Sequence, residues 1–247
     1  MTDQASQRVA LVTGGSRGIG AAIVRRLAND GFAVAINYSS GAADADTLAA
    51  AIRQAGGRAL AVRADVSKPD AVRAMFDAVT AEFGRLDVLV NNAGVLQVQP
   101  LADTSDDLYD RTFDINTRGT FNTMREAAAR LADGGSIVNV SSTTVALNLP
   151  GYSVYIASKA AVESLTQVFA KELRGRQIRV NAVAPGPVAT ELFFKGKSPE
   201  LIEHYAKMPP LERLGQPDDI AGIVSFLAGP DSGWVNGQIV RANGGVA

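Results

Sequence analysis

Residues 153–161 read SVYIASKAA, which sets Tyr155 and Lys159 four apart among small residues. On a helix that spacing puts both side chains on one face. A phenol and an ammonium side by side can pass a proton to or from an oxygen. A free tyrosine has a pKa of about 10, so proton transfer near neutrality needs something that lowers it. On their own the two residues are also compatible with a buried, satisfied tyrosine and an exposed helix lysine.

The elements that must hold such a pair are legible as alternating patterns. Strand-like apolar runs fall at 8–14, 32–37, 58–64, 86–92, 136–142, 178–184 and 237–242. Several are nearly continuous in Val, Ile, Leu and Ala, as strands covered on both faces are. Helical patterns lie between them at 18–30, 44–55, 69–83, 105–131, 153–174 and 217–228. Repeated β–α alternation with right-handed crossovers predicts a doubly wound α/β fold with a seven-stranded, mostly parallel sheet. The alternation breaks at 185–216, a proline-rich stretch with several aromatics. Such an excursion in a compact domain predicts a flap over a pocket, at about 187–213, within one domain spanning 1–247.

The first strand ends in TGGSRGIG, residues 13–20, and runs directly into a helix. Glycines at that turn let the backbone approach a pyrophosphate, and the helix start offers free N–H groups. The spacing Gly14-x-x-x-Gly18-x-Gly20 differs from the commonest dinucleotide fingerprint. An NAD site carries an acid near the end of the second strand. Here that place reads INYSS, with Tyr38 and Ser39 and no acid, while Arg17 sits inside the glycine loop. A guanidinium pairs with a 2′-phosphate and Ser39 can donate to it, so NADP(H) is preferred, with NAD(H) as second choice.

TGGSRGIG, NNAG at 91–94, the Ser pair at 141–142, YIASK at 155–159 and PG at 185–186 occur in this order. With them the chain resembles the short-chain dehydrogenase/reductase family over essentially its whole length. The resemblance implies that Tyr155 is the general acid in reduction and the general base in oxidation. Ser142, thirteen residues before Tyr155, would bond the substrate oxygen, although Ser141 is its neighbour and only one can face the site. Lys159 would hold the nicotinamide ribose and lower the tyrosine pKa. Asn116 would complete the set and position a water.

The same resemblance carries over cofactor contacts. Gly14, Ser16, Arg17, Gly18, Ile19 and Gly20 would meet the phosphates. Asp65 and Val66 would meet adenine, and Asn92, Ala93 and Gly94 would let the dinucleotide lie close. Asn91 is read as a support between strands. Pro185, Gly186, Val188 and Thr190 would line the nicotinamide, with Thr190 bonding its carboxamide. The substrate wall is expected from Val95, Leu96, Leu147, Leu149, Tyr152, Leu192 and Phe193, which favours an apolar, medium-sized ketone. Phe193, Phe194 and Tyr205 divide between flap core and substrate wall.

Two rival readings have their own residues. A reductase of 3-oxoacyl groups on acyl carrier protein needs basic docking residues, and Arg176 and Arg130 are candidates while Asp133 opposes an acidic partner. An NAD-dependent alcohol or sugar dehydrogenase, or a non-catalytic dinucleotide sensor, is the other. Composition narrows the remaining classes. The 247 residues are 47% hydrophobic with net charge −1, which does not indicate a nucleic-acid surface. No cysteine is present, so thiolate metal sites and disulfides are excluded. The single histidine, His204, is read as a surface or packing residue. The start MTDQASQRVALVTGG lacks a secretory pattern and no apolar segment is long enough to span a bilayer, so the expected protein is cytoplasmic and off the membrane. The resemblance implies a homotetramer, or a homodimer, built through the helices at 153–174 and 105–131, with the C-terminal strand as a second interface.

Overall fold

A computed structural model describes residues 7–247, so the first six residues of the N-terminal stretch MTDQASQRVALVTGG lie outside the described residues. The elements run β1 (Val9–Val12), α1 (Gly18–Asn29), β2 (Ala33–Tyr38), α2 (Ala42–Gln54), β3 (Ala59–Arg63) and α3 (Pro69–Phe83). They continue with β4 (Val88–Asn91), α4 (Asp106–Phe113), α5 (Gly119–Arg130), β5 (Ser136–Val140), α6 (Thr144–Leu147) and α7 (Ser153–Glu172). The last are β6 (Arg179–Pro185), α8 (Glu191–Phe194), α9 (Pro199–Lys207), α10 (Pro217–Ala228) and β7 (Ile239–Ala242).

The strands form one sheet in the order β3-β2-β1-β4-β5-β6-β7, and every pairing is parallel. The expected "mostly parallel" sheet is therefore wholly parallel. Side-chain alternation explains how it is covered. Ala10 and Val12 of β1 point to the face packed by Ile23 and Leu27 of α1, Leu48 of α2 and Val224 of α10. Val9 and Leu11 point to the other, against Met75 and Phe76 of α3 and Met124 of α5. Strand order reverses between β1 and β4. The carboxyl ends of strands at such a switch point leave a crevice, the place where ligands bind in open α/β sheets.

Three differences from the sequence pattern bear on function. The single helix expected at 105–131 is interrupted by a π-helical turn at Asp114–Arg118. Gly119 is pressed on Val66, where an added Cβ would come within 2.6 Å of the Val66 side chain. The turn swings Asn116 inward, fully buried, and such single π turns cluster at functional positions. A short helix, α6, follows the serine pair. The stretch 185–216 is less irregular than expected: β6 extends into it through Pro185, and α8 and α9 form inside it. Ser198 caps α9 by accepting from the Leu201 N–H at 3.3 Å, and Pro199 supplies the first helical position.

Candidate active site

The glycine loop is a closely packed turn. Gly14 and Gly18 have φ of 58° and 53°, the left-handed region that glycine enters without a Cβ penalty. At Gly20 an added Cβ would stand 2.2 Å from the Gly14 carbonyl oxygen and 2.6 Å from the Asn92 amide nitrogen, so no side chain fits. Asn92 spends both amide protons on the loop, donating to the carbonyls of Thr13 at 3.0 Å and Gly14 at 2.9 Å. Asn37 accepts from the Gly14 N–H at 3.3 Å. No side chain caps α1, and the N–H groups of Gly18, Ile19 and Gly20 meet no acceptor among the described residues. This cradle has the shape and the unspent donors that an anionic dinucleotide needs. Arg17 is exposed and makes no ion pair among the described residues, and Tyr38 and Ser39 lie along the same cleft.

Further along, Asp65 accepts from the Ser67 N–H and hydroxyl at 2.9 and 2.8 Å, which shapes the turn after β3. Val66 is buried, and its carbonyl is held by the Asn122 amide at 3.0 Å. Asn91 does not face the cleft. It donates to Asn139 at 2.8 Å and accepts from Thr123 at 2.6 Å, so it joins β4 to β5 and α5 as expected.

Ser141 and Ser142 both line the cleft but are engaged differently. Ser141 donates to Glu163 of α7 at 2.7 Å, so its hydroxyl is committed. Ser142 accepts from the Thr144 N–H at 3.2 Å and from the Thr144 hydroxyl at 2.9 Å. A serine oxygen has two acceptor positions, so both are filled and its own proton is left to donate. Tyr155, in the first turn of α7, has Ser142 as hydrogen-bond neighbour. Lys159 is buried and donates to the Val140 carbonyl at 2.8 Å. A Cβ placed on Gly94 would lie 3.4 Å from its Nζ and 3.3 Å from Asn116 Oδ1, so these groups converge beside Gly94.

Two expectations about this group change. Burial pushes the Tyr155 phenol up, with the Ser142 hydrogen bond pulling it back, instead of Lys159 pulling it down. Burial is the larger of the two causes and also lowers the Lys159 pKa to about 8, while Lys159 turns to the Val140 carbonyl with Nζ 6.0 Å from the Tyr155 ring centre. Asn116 is occupied within the protein: Oδ1 accepts from the Val95 N–H at 2.8 Å, and Nδ2 donates to the Val95 carbonyl and Ser158 Oγ, each at 3.0 Å. Its side chain clamps the Val95 loop to α7 and, unlike the other predicted site residues, it does not line the cleft.

That cleft, about 910 Å³, is continuous from the glycine loop past Tyr155 to α9. Pro185, Gly186, Val188 and Thr190 form one edge. The Thr190 hydroxyl accepts from the Phe193 N–H at 3.2 Å and caps α8, so it is already engaged. Val95, Leu96, Leu147, Leu149, Tyr152, Leu192 and Phe193 line the far end, together with Tyr205. Phe194 is exposed and outside it, and His204 is exposed on α9. Sequence reasoning missed Thr144, Glu163 and the lining residue Arg111. The SSTT run after β5 was the available signal for Thr144, since hydroxyls two apart form local turns. Nothing in the pattern singled out Glu163 or Arg111.

Arg176 pairs with Asp133 at 2.7 Å and also donates to the carbonyls of Ala128 and Leu131, closing the end of α5. Arg130 pairs with Asp77 and with Glu126. Both cations considered for carrier-protein docking are thus paired locally. Among the described residues no helix is long and apolar enough to cross a membrane, and no cluster of metal-ligating side chains occurs.

A family model described as enoyl-(acyl carrier protein) reductase matches residues 14–247. A short-chain type dehydrogenase/reductase of Picea abies is 48% identical, with 96% of this chain and 92% of that protein covered. An NADPH-dependent aldehyde reductase-like protein, chloroplastic, of Arabidopsis thaliana is also 48% identical, covering 96% and 93%. The crystal structure of a short chain dehydrogenase from Burkholderia cenocepacia in complex with NADP superposes with a TM-score of 0.92 at 39% identity, covering 99% of each chain. Fold, cleft and relatives agree: the chain belongs to the short-chain dehydrogenase/reductase family of oxidoreductases.

Proposed function

We propose that the protein reduces an aldehyde or ketone to the alcohol, and runs the reverse oxidation, with NADP(H) as cofactor and Tyr155 as the proton-transfer residue. The observation that carries this reading is the single cleft in which the glycine cradle, Ser142, Tyr155 and Lys159 all open. The reduced dinucleotide, when bound, supplies the hydride. Gly14 to Gly20 hold its phosphates, Arg17 pairs with the 2′-phosphate, and Tyr38, Ser39, Asp65 and Val66 border the adenosine end. The NADPH named for the Arabidopsis relative and the NADP in the Burkholderia structure support the cofactor choice. Lys159, whose Nζ lies beside Gly94, would hold the nicotinamide ribose.

The carbonyl oxygen sits between Ser142 and Tyr155. Ser142 donates to it, because Thr144 fills the acceptor positions of its hydroxyl. As negative charge grows on that oxygen, two preorganised donors stabilise it. Tyr155 then gives up its proton, completing the alcohol. A phenol that burial keeps protonated is suited to this donor role. Asn116 is a positioning residue that fixes the Val95 wall against α7. The segment at about 187–213 acts as the substrate flap of a single domain.

Carbonyl compounds with apolar bodies suit the Leu, Phe and Tyr wall at the far end. The carrier-protein alternative loses support, because Arg176 and Arg130 are spent within the subunit. Assembly as a cytoplasmic homotetramer is the reading we carry forward. Exposed Tyr109, Phe121 and Val168 on α4, α5 and α7 offer one apolar face, and Phe226 and Trp234 near β7 offer another. A carbonyl panel run with NADPH and with NADH tests the function. NADPH consumption with apolar ketones or aldehydes is expected. Activity confined to polyols or carrier-bound thioesters contradicts it.

A further inference from the structure

Residues 191–212 span α8 and α9 and roof the substrate end of the cleft. Their backbone hydrogen bonds are almost all internal to the segment or run to Thr190 at its root. Lys197 donates to Phe193 at 2.6 Å and Lys207 pairs with Glu203, again internally. At the far root, Pro209 and Pro210 pack on Gly244 and Gly245. Between these roots one hydrogen bond reaches the body of the described protein: Tyr205 OH to Tyr152 OH, 3.3 Å.

The two tyrosines sit where such a bond has leverage on the site. Tyr152 is 7% exposed and its ring meets the Tyr155 ring edge-on at 6.5 Å. Tyr205 meets Phe193 edge-on at 5.6 Å, which ties α9 to α8. All four rings line the cleft. Movement of α9 therefore alters the space above Tyr155 directly. Among the described residues the Tyr152 hydroxyl has no second hydrogen-bond partner, and a buried hydroxyl left alone is costly. The pair is favoured closed, yet it is one neutral bond and easily given up.

We propose that Tyr205 is a specificity-determining residue: through its hydroxyl bond to Tyr152 it sets the height of the roof over Tyr155, and so which carbonyl compounds the site accepts. The proposal rests on the carbonyl-reductase reading above. It predicts that small substrates depend on the closed roof, whereas bulky ones must break the bond to enter.

The experiment compares Tyr205→Phe, Tyr152→Phe and the double variant, which keep the rings and remove the hydroxyls. With NADPH and a small aliphatic aldehyde, KM rises about three- to ten-fold in each single variant, the range a neutral hydrogen bond gives, and more than kcat changes. With a bulky aryl ketone KM stays level or falls. The double variant is no worse than either single one, because all three lack the same bond. Hydrogen–deuterium exchange over 199–207, read without any substrate, quickens in all three variants. Additive losses, equal shifts for small and bulky substrates, or unchanged exchange in Tyr205→Phe overturn the proposal. A wild-type protein that reduces no carbonyl would overturn the parent reading instead, and the exchange arm would still decide whether the bond holds the roof.

Discussion

The two ends of the cleft are built by opposite means. The dinucleotide end is backbone: glycines with no room for a Cβ, Asn92 and Asn37 spent on holding the loop, and strands buried on both faces. The substrate end is a short pair of helices, proline roots and aromatic rings, joined to the body by one hydroxyl pair. A backbone cradle tolerates few changes and recognises a constant ligand. A side-chain roof can be retuned by single substitutions without touching the cradle. With the proposed function, the contrast lets one architecture keep its cofactor while its substrates vary.

The contrast breaks first, if it is wrong, at Gly20. A Gly20→Val side chain would collide with the Gly14 carbonyl, so dinucleotide affinity should fall more than 100-fold, on the order of 3 kcal/mol or above. Fluorescence titration with NADPH checks this, and near-normal binding would mean that the loop is not the cradle. Arg17→Ala comes next. Losing a charge-assisted pair should weaken NADPH about ten- to a hundred-fold and leave NADH unchanged. Equal losses for both cofactors would remove the 2′-phosphate role. On the roof, Phe193→Ala should shift the preference among ketones by several-fold while NADPH affinity stays within about two-fold of wild type, the pattern expected of a side-chain wall.

Protonation separates the directions of reaction. Burial holds the Tyr155 proton, so the oxidation rate, which needs the phenolate, should climb with pH, and reduction should fade as that proton is lost. Parallel pH profiles in the two directions would contradict Tyr155 as the acid–base group. The smallest effect concerns stability. The Lys159 pKa is lowered to about 8 from 10.5, so between those values the unfolded chain binds the extra proton and stability rises with pH. Below that window the buried ammonium costs on the order of 3 kcal/mol. Denaturant melts of Lys159→Met should accordingly gain on wild type below pH 8 and lose that advantage towards pH 10.5. An advantage independent of pH would assign it to packing.

Legibility followed the same division. Apolar runs predicted all seven strands to within a few residues, because a strand covered on both faces has a near-continuous signature. Glycine spacing located the cradle, and Asn91 held the support role read for it. What escaped depends on partners distant in the chain. The π turn at Asp114–Arg118 follows from Gly119 packing on Val66 and from Asn116 bonding Val95. The Ser141 hydroxyl is committed to Glu163, twenty-two residues beyond it, while that of Ser142 is not. The direction of the Tyr155 shift is set first by burial and then by the Ser142 hydrogen bond, neither of which spacing on a helix specifies. The bond from Tyr205 to Tyr152 joins residues 53 apart in the chain and leaves no local pattern.

The most direct test of the central claim is single-turnover oxidation of bound NADPH by a reactive diketone in wild type and Tyr155→Phe. Tyr155→Phe should bind NADPH as wild type does and oxidise it about 10²- to 10⁴-fold more slowly, the usual contribution of a positioned acid. Equal rates in the two proteins would contradict the account.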